Sequence, residues 1–134
     1  MILVDAGPLA AFFDIADQHH TQCLAALQGV KEPLCTLWPP LTEAFYLLSD
    51  VPNGHDRLWQ MIGRSAVSLL PLGLDDIPRI HELMEKYKDQ EMDLADAALI
   101  RVAEREGIHK IFTLDRRDFS VYRLHGKVKP TLLP

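Results

Sequence analysis

Short apolar runs that end on an acid constrain this chain most. Ile2-Leu3-Val4 is apolar without alternation and runs straight into Asp5. The pattern returns near the far end, where Lys110-Ile111-Phe112-Thr113-Leu114 leads into Asp115. A strand with one wet face alternates apolar and polar residues, so a run lacking a polar face must be covered on both sides. Leu34–Leu37 and Val67–Leu70 have the same character, and each meets a proline soon afterwards, at Pro39 and Pro71. Helical stretches fill the intervals. Pro8 suits a first helical turn and opens an apolar helix over Leu9–Phe13, while Asp17 is placed to cap the next, which ends near Gly29. Leu41–Leu48 and Asp56–Ile62 follow, then an acidic helix from Asp75-Asp76 through Tyr87, and a longer one from Asp93 to Glu106 that stops at Gly107. Arg116–Phe119 reads as a turn or short helix and Lys127–Leu133 as a closing edge strand. Strands alternating with helices predict an α/β sandwich with a mostly parallel sheet.

At 134 residues the chain suits a single domain, 1–134, and 48% apolar with 25% charged residues is ordinary globular composition. No apolar run approaches the roughly 20 residues of a membrane span. Met1-Ile2-Leu3-Val4 reaches Asp5 without the basic start or cleavage site of a signal peptide. Cys23 and Cys35 lack CxxC spacing and read as small apolar residues of a reduced, cytoplasmic protein. The net charge of −5 argues against binding nucleic acid by bulk attraction, but the charge is uneven. Residues 1–100 hold 6 Lys/Arg against 15 Asp/Glu, and residues 101–134 hold 8 against 4. An acidic body beside a basic C-terminal third can pair a metal site with a phosphate-binding rim.

Four acids share one kind of address. Asp5 and Asp115 directly follow buried strands, Glu43 falls in the first turn expected after the second strand, and Asp96 lies one turn into the helix that leads to the fourth. In open α/β sheets the carboxyl ends of the strands form the ligand-binding edge, so the four carboxylates can converge there. Asp93 and Asp96 leave two readings open: Asp93 as N-cap with Asp96 completing a capping box, or Asp96 turned into a cleft to help hold a metal. Converging carboxylates repel unless a cation is present, and an all-oxygen site calls for Mg2+ or Mn2+. Such an ion activates water for phosphodiester hydrolysis. No Ser, Cys or His stands in a nucleophilic arrangement.

At this point the motifs resemble a family. Met1 to Leu9 looks like the opening strand and turn of PIN-domain ribonucleases. Thr42-Glu43-Ala44-Phe45-Tyr46-Leu47-Leu48 resembles their TEA-x-x-LL helix, and Asp93-Leu94-Ala95-Asp96-Ala97-Ala98-Leu99 their D-L-x-D-A-x-L segment. Thr113-Leu114-Asp115-Arg116-Arg117-Asp118-Phe119 resembles their closing T-x-D-x-x-D-F. The resemblance implies a three-layer α/β/α sandwich with strand order 3-2-1-4-5 and a Mg2+-dependent endoribonuclease site at Asp5, Glu43, Asp96 and Asp115. The short form looks most like VapC-type toxins of bacterial toxin–antitoxin pairs, which implies an RNA substrate, a cognate antitoxin and a homodimer. Ala6-Gly7 stands where many members carry Thr-Ser, so a hydroxyl near Asp5 is missing.

Other residues admit bland readings. Asp118 is expected to support the turn holding Phe119, with a metal role as the lesser alternative, and Thr113 either to donate to a site carboxylate or to suit a strand. His19, His20, His55, His81, His109 and His125 have no metal-ligand spacing. Arg116, Arg117, Arg123, Lys127 and Lys129 either meet RNA phosphates or form a solvated face. Trp38, Tyr46 and Trp59 either stack bases or, the more usual role, pack a core or dimer interface. Phe12, Phe13, Phe45 and Leu48 are apolar residues in excess of one small core. Gly7, two residues past Asp5, argues against a dehalogenase-type phosphatase, which needs an acid there. The remaining alternative is a catalytically inactive PIN-like module that binds RNA or protein.

Overall fold

A computed structural model describes all 134 residues. β1 (Ile2–Val4) is followed by α1 (Ala6–Phe13) and α2 (His20–Gly29), then by β2 (Leu34–Thr36), α3 (Trp38–Leu47) and α4 (Gly54–Gly63). β3 (Val67–Leu69) leads through a 3-10 turn at Leu74–Asp76 into α5 (Ile77–Lys86), and a second such turn at Lys88–Gln90 precedes α6 (Leu94–Glu106). β4 (Lys110–Phe112), α7 (Arg116–Phe119) and β5 (Thr131–Leu133) complete the chain. The five strands form one sheet of order β3-β2-β1-β4-β5, and every pair is parallel. The order reverses between β1 and β4, which leaves the carboxyl ends of both facing a common crevice.

The unalternating runs are buried on both faces, as their composition demands. Ile2, Val4, Val67 and Phe112 pack beneath α1, α3 and α4 in one core, with Leu9, Leu41 and Leu58. Leu3, Cys35 and Ile111 point the other way, into a second core with Leu83, Leu99, Ile100 and Tyr122. Sheet and two helical layers make the α/β/α sandwich. On the second face α5 and α6 are locked by ion pairs: Arg79 grips Glu104 with Nε and a terminal nitrogen at 2.9 and 2.8 Å. Asp76 accepts from Arg101 at 2.8 Å and from Arg105 at 2.9 Å.

Several boundaries differ from expectation. α3 begins at Trp38 rather than Leu41, because Pro39 and Pro40 occupy its first turn, where a missing N–H is harmless. Glu43 therefore sits in the second turn, outside the reach of the helix dipole. Asp17 does not cap α2: it lies three residues before the helix and accepts the N–H of His19, the residue at the cap position, at 2.7 Å. The closing strand is shorter than Lys127–Leu133, because Leu124 and Val128 pair across a turn at His125 and Gly126, both at positive φ. Only Thr131–Leu133 joins the sheet, bracketed by Pro130 and Pro134. Cys23 and Cys35 are fully buried free thiols. No helix is long and apolar enough to cross a membrane.

Candidate metal centre

Three helices begin at one cavity, and each begins with an aspartate. Asp5 caps α1, Asp93 caps α6 and Asp115 caps α7. Asp5 holds the Ala6 N–H on Oδ1 at 2.7 Å and the Thr113 hydroxyl on Oδ2 at 2.9 Å. Thr113 Oγ1 in turn accepts the Asp115 N–H at 3.1 Å, so one hydroxyl joins the acids after β1 and β4. The other two caps repeat a single device. Asp93 Oδ1 accepts the Asp96 N–H at 2.8 Å, and Asp115 Oδ1 accepts the Asp118 N–H at 3.3 Å. Each bond places a second aspartate beside its cap on the same side of the first turn. Asp96 does not complete a capping box; its Oδ2 accepts the Tyr122 hydroxyl at 3.0 Å.

The cavity measures about 390 Å³. Asp5, Glu43, Asp96 and Asp115, all four expected residues, line it together with Glu91, Asp93 and Asp118. No Lys, Arg or His is among its walls. One oxygen from each of Asp96, Asp115 and Asp118 lies within 4.8 Å of the others, while Asp5 and Glu43 line the same space outside that trio.

Uncompensated burial shows in the acidities. Burial drives the Asp5 carboxyl up to about 6, with Glu43 and Asp93 adding repulsion and the Ala6 and Thr113 hydrogen bonds opposing it. Asp96 is raised well above the carboxylate range, first by burial and then by the charges of Asp93 and Asp5. Glu43 and Asp115 are also raised, chiefly by burial. The Tyr122 phenol is pushed far above its ordinary value by burial and then by Asp96, so its hydroxyl is the donor of the pair. A set of hard oxygen donors, short of positive charge and clustered at this spacing, could hold a divalent cation that prefers oxygen ligands.

A family model described as PIN domain matches residues 2–124. This chain belongs to the PIN-domain family. Among curated relatives, Ribonuclease VapC26 of Mycobacterium tuberculosis (strain ATCC 25618 / H37Rv) is 28% identical over 135 residues, 99% of this chain and 100% of the relative. Among solved structures, Mycobacterium tuberculosis VapC20, described as a sarcin-ricin loop cleaving toxin, superposes with a TM-score of 0.78. That match covers 88% of this chain and 92% of the other at 20% identity, which establishes a shared fold. The chain is thus a VapC-like PIN domain.

Within this PIN domain Asp118, expected to support the turn holding Phe119 with metal binding as the alternative, lines the cavity. The signal was present: Asp115-x-x-Asp118 has the spacing of Asp93-x-x-Asp96, and both pairs open a helix. The hydroxyl missing at Ala6-Gly7 is supplied from elsewhere, by Thr113. Space does not forbid a side chain at Gly7, since an added Cβ would meet Leu114 at an ordinary 3.4 Å. Trp38, Tyr46 and Trp59 are not core residues, being 53%, 77% and 51% exposed. Trp59 packs on Phe45, while Trp38 and Tyr46 line a groove of about 570 Å³ that shares Glu43 and Asp93 with the acidic cavity. Leu48 is buried and Phe12, Phe13 and Phe45 are half-buried, so surplus apolar surface lies elsewhere. Arg116 and Arg123 donate to backbone carbonyls of Pro134, Ser120 and Tyr122.

Proposed function

We propose that this PIN domain is a Mg2+-dependent endoribonuclease, the toxin of a toxin–antitoxin pair. The observation that carries the reading is the cavity itself: seven carboxylates and no cationic side chain at the carboxyl edge of a parallel sheet. A fold has little reason to gather such charge unless a cation completes it. The relatives add direction, since one is named a ribonuclease and the other a sarcin-ricin loop cleaving toxin.

Asp96, Asp115 and Asp118 would hold the ion, with Asp5 and Glu43 lining the same cavity. Bound there, a divalent cation lowers the pKa of water and offsets charge on a phosphoryl oxygen. Asp5, fixed at both oxygens, orients an attacking water by hydrogen bonding. Glu43 stands at the junction with the Trp38–Tyr46 groove, where an RNA strand enters. Arg117, exposed in α7 next to Asp118, is placed to meet a flanking phosphate, whereas Lys127 and Lys129 precede β5 at the opposite, amino edge of the sheet.

Residues 1–134 act as one domain, because β5 completes the sheet beyond the matched span. The working form is a cytoplasmic homodimer held in check by an antitoxin. Leu74, Ile77 and Leu94, at 84%, 56% and 52% exposure, rim an apolar groove of about 610 Å³ that a second copy or the antitoxin would cover. The decisive experiment incubates purified protein with mixed-sequence RNA in Mg2+ or Mn2+, then with chelator, beside Asp5→Asn. Cleavage that needs metal and is lost in the variant supports the reading. Inert wild type, or cleavage indifferent to chelator, overturns it, the former in favour of a binding module.

A further inference from the structure

We propose that Tyr122 is the positioning residue that fixes the Asp96 carboxylate for a divalent cation, tying the start of α6 to the segment after α7. The inference rests on the metal-site reading above and deepens it. Tyr122 is fully buried and contributes nothing to the cavity wall, so it touches neither substrate nor ion. Its hydroxyl nevertheless reaches Asp96 Oδ2 at 3.0 Å. Its backbone N–H donates to the Asp118 carbonyl at 3.3 Å. One residue thus contacts two of the three clustered acids, from behind.

The helix sets where Asp96 Cβ lies but not the plane of its carboxylate. That last torsion is broad and roughly two-fold, so an unsupported Asp presents its oxygens over a range of angles. A hydrogen bond on Oδ2 fixes the plane only if its donor cannot move. The Tyr122 ring is held edge-on between Phe119 at 5.1 Å and Tyr87 at 5.0 Å. Tyr87 is pinned in turn, its hydroxyl accepting the Arg123 N–H at 3.1 Å. Phe119 directly follows Asp118, so the clamp belongs to the same short helix that carries Asp115 and Asp118. Packing of the second core is thereby converted into ligand geometry. Hydrogen-bond partners behind metal ligands typically change metal affinity about 10- to 100-fold.

The test is calorimetric titration of Mn2+ into the whole chain, stripped by chelator, for wild type, Asp96→Asn, Tyr122→Phe and Tyr87→Phe, with RNA cleavage at saturating Mn2+ alongside. Wild type should bind and Asp96→Asn should bind far more weakly. Tyr122→Phe should bind about 10-fold more weakly, and saturating Mn2+ should restore much of its cleavage. Tyr87→Phe, which keeps the ring but frees it from the Arg123 N–H, should weaken binding clearly less than Tyr122→Phe does. Wild-type affinity in Tyr122→Phe overturns the inference and leaves the metal reading standing. Equal losses in Tyr122→Phe and Tyr87→Phe also overturn it, because packing alone then explains the effect. Absence of Mn2+ binding by wild type removes the metal reading and this inference together. Should Tyr122→Phe be too unstable to titrate, 4-aminophenylalanine at 122 is compared with 4-methylphenylalanine. Tighter Mn2+ binding by the donor-bearing side chain upholds the inference, and equal binding overturns it.

Discussion

Helix α6 carries two acidic environments of opposite design. Asp96 at its start faces a cavity walled by other carboxylates, whereas Glu104, eight residues and about 12 Å further on, is gripped by Arg79. Burial alone would raise the Glu104 and Asp76 carboxyls. The Arg79 guanidinium and the His125 N–H hold Glu104 below its ordinary value; the Gly73 N–H with Arg101 and Arg105 does the same for Asp76. Asp96 has only the uncharged Tyr122 hydroxyl to oppose its burial and the charges of Asp93 and Asp5, and it stays raised. Buried acids that the fold uses for its own cohesion come with their counter-charges. Those that lack them are set aside for something from outside.

Exchanging charge for amide at each end of α6 should separate the two designs most widely. Asp96→Asn is expected to lose RNA cleavage by about 1,000-fold at saturating Mn2+, yet to melt at or above the wild-type temperature in chelator, since one repulsive charge is gone. Glu104→Gln should do the reverse. It weakens the grip of half-buried Arg79, which keeps Glu82 as a partner, a loss of about 2 kcal/mol, or roughly 7 °C for a chain of this size. Cleavage per folded molecule should remain. If both variants lose activity alike, or both lose stability alike, the contrast is wrong.

Next in size is the response to pH and metal, read by melting curves. The Asp5 carboxyl is raised in the folded state, so the unfolded chain gives up its proton first as pH rises. Stability in chelator should therefore fall between about pH 4 and 6, by on the order of 3 kcal/mol from Asp5, and Asp96 extends the decline to higher pH. Asp76 and Glu104 act with the opposite sign. Their lowered values confer stability that is complete above about pH 5 and vanishes as pH drops through their folded-state titrations. Mn2+ or Mg2+ at about 100 times its dissociation constant should add roughly 2.7 kcal/mol and flatten the neutral limb while leaving the acid limb in place. A metal effect confined to the acid limb would contradict the comparison.

The smallest effect is expected inside the acidic cavity. Asp93 is the N-cap of α6, and asparagine accepts the Asp96 N–H nearly as well. Asp93→Asn should change stability by less than about 0.5 kcal/mol and cleavage by only several-fold. Loss comparable to that of Asp96→Asn would make Asp93 a ligand rather than a cap.

Asp5, Glu43, Asp96 and Asp115 were visible in the sequence because the sheet topology, itself implied by the family resemblance, turns position along the chain into position in space. An acid after a buried parallel strand has one edge to occupy. Strand ends were less visible: an apolar run says what is buried, not where its neighbour stops pairing, so Leu70 and Leu114 fell outside. Glu43 was assigned to the wrong turn because Pro39 and Pro40 read as a break before a helix when they form its first turn. Tyr122 left no signal, as its role depends on a contact 26 residues away and on two rings that hold it still.

Pro130 and Pro134 at either end of β5 have a consequence for how copies of this molecule can meet. A parallel sheet with an open margin invites another chain to add a strand, and sheets of this kind leave margins bare while they form. Here the margin is three residues long, closed at both ends by rings that have no N–H to offer. An incoming strand finds too few places to bond. At this margin strand addition is disfavoured, so the β5 edge is closed to the kind of pairing that extends a sheet from one molecule into the next.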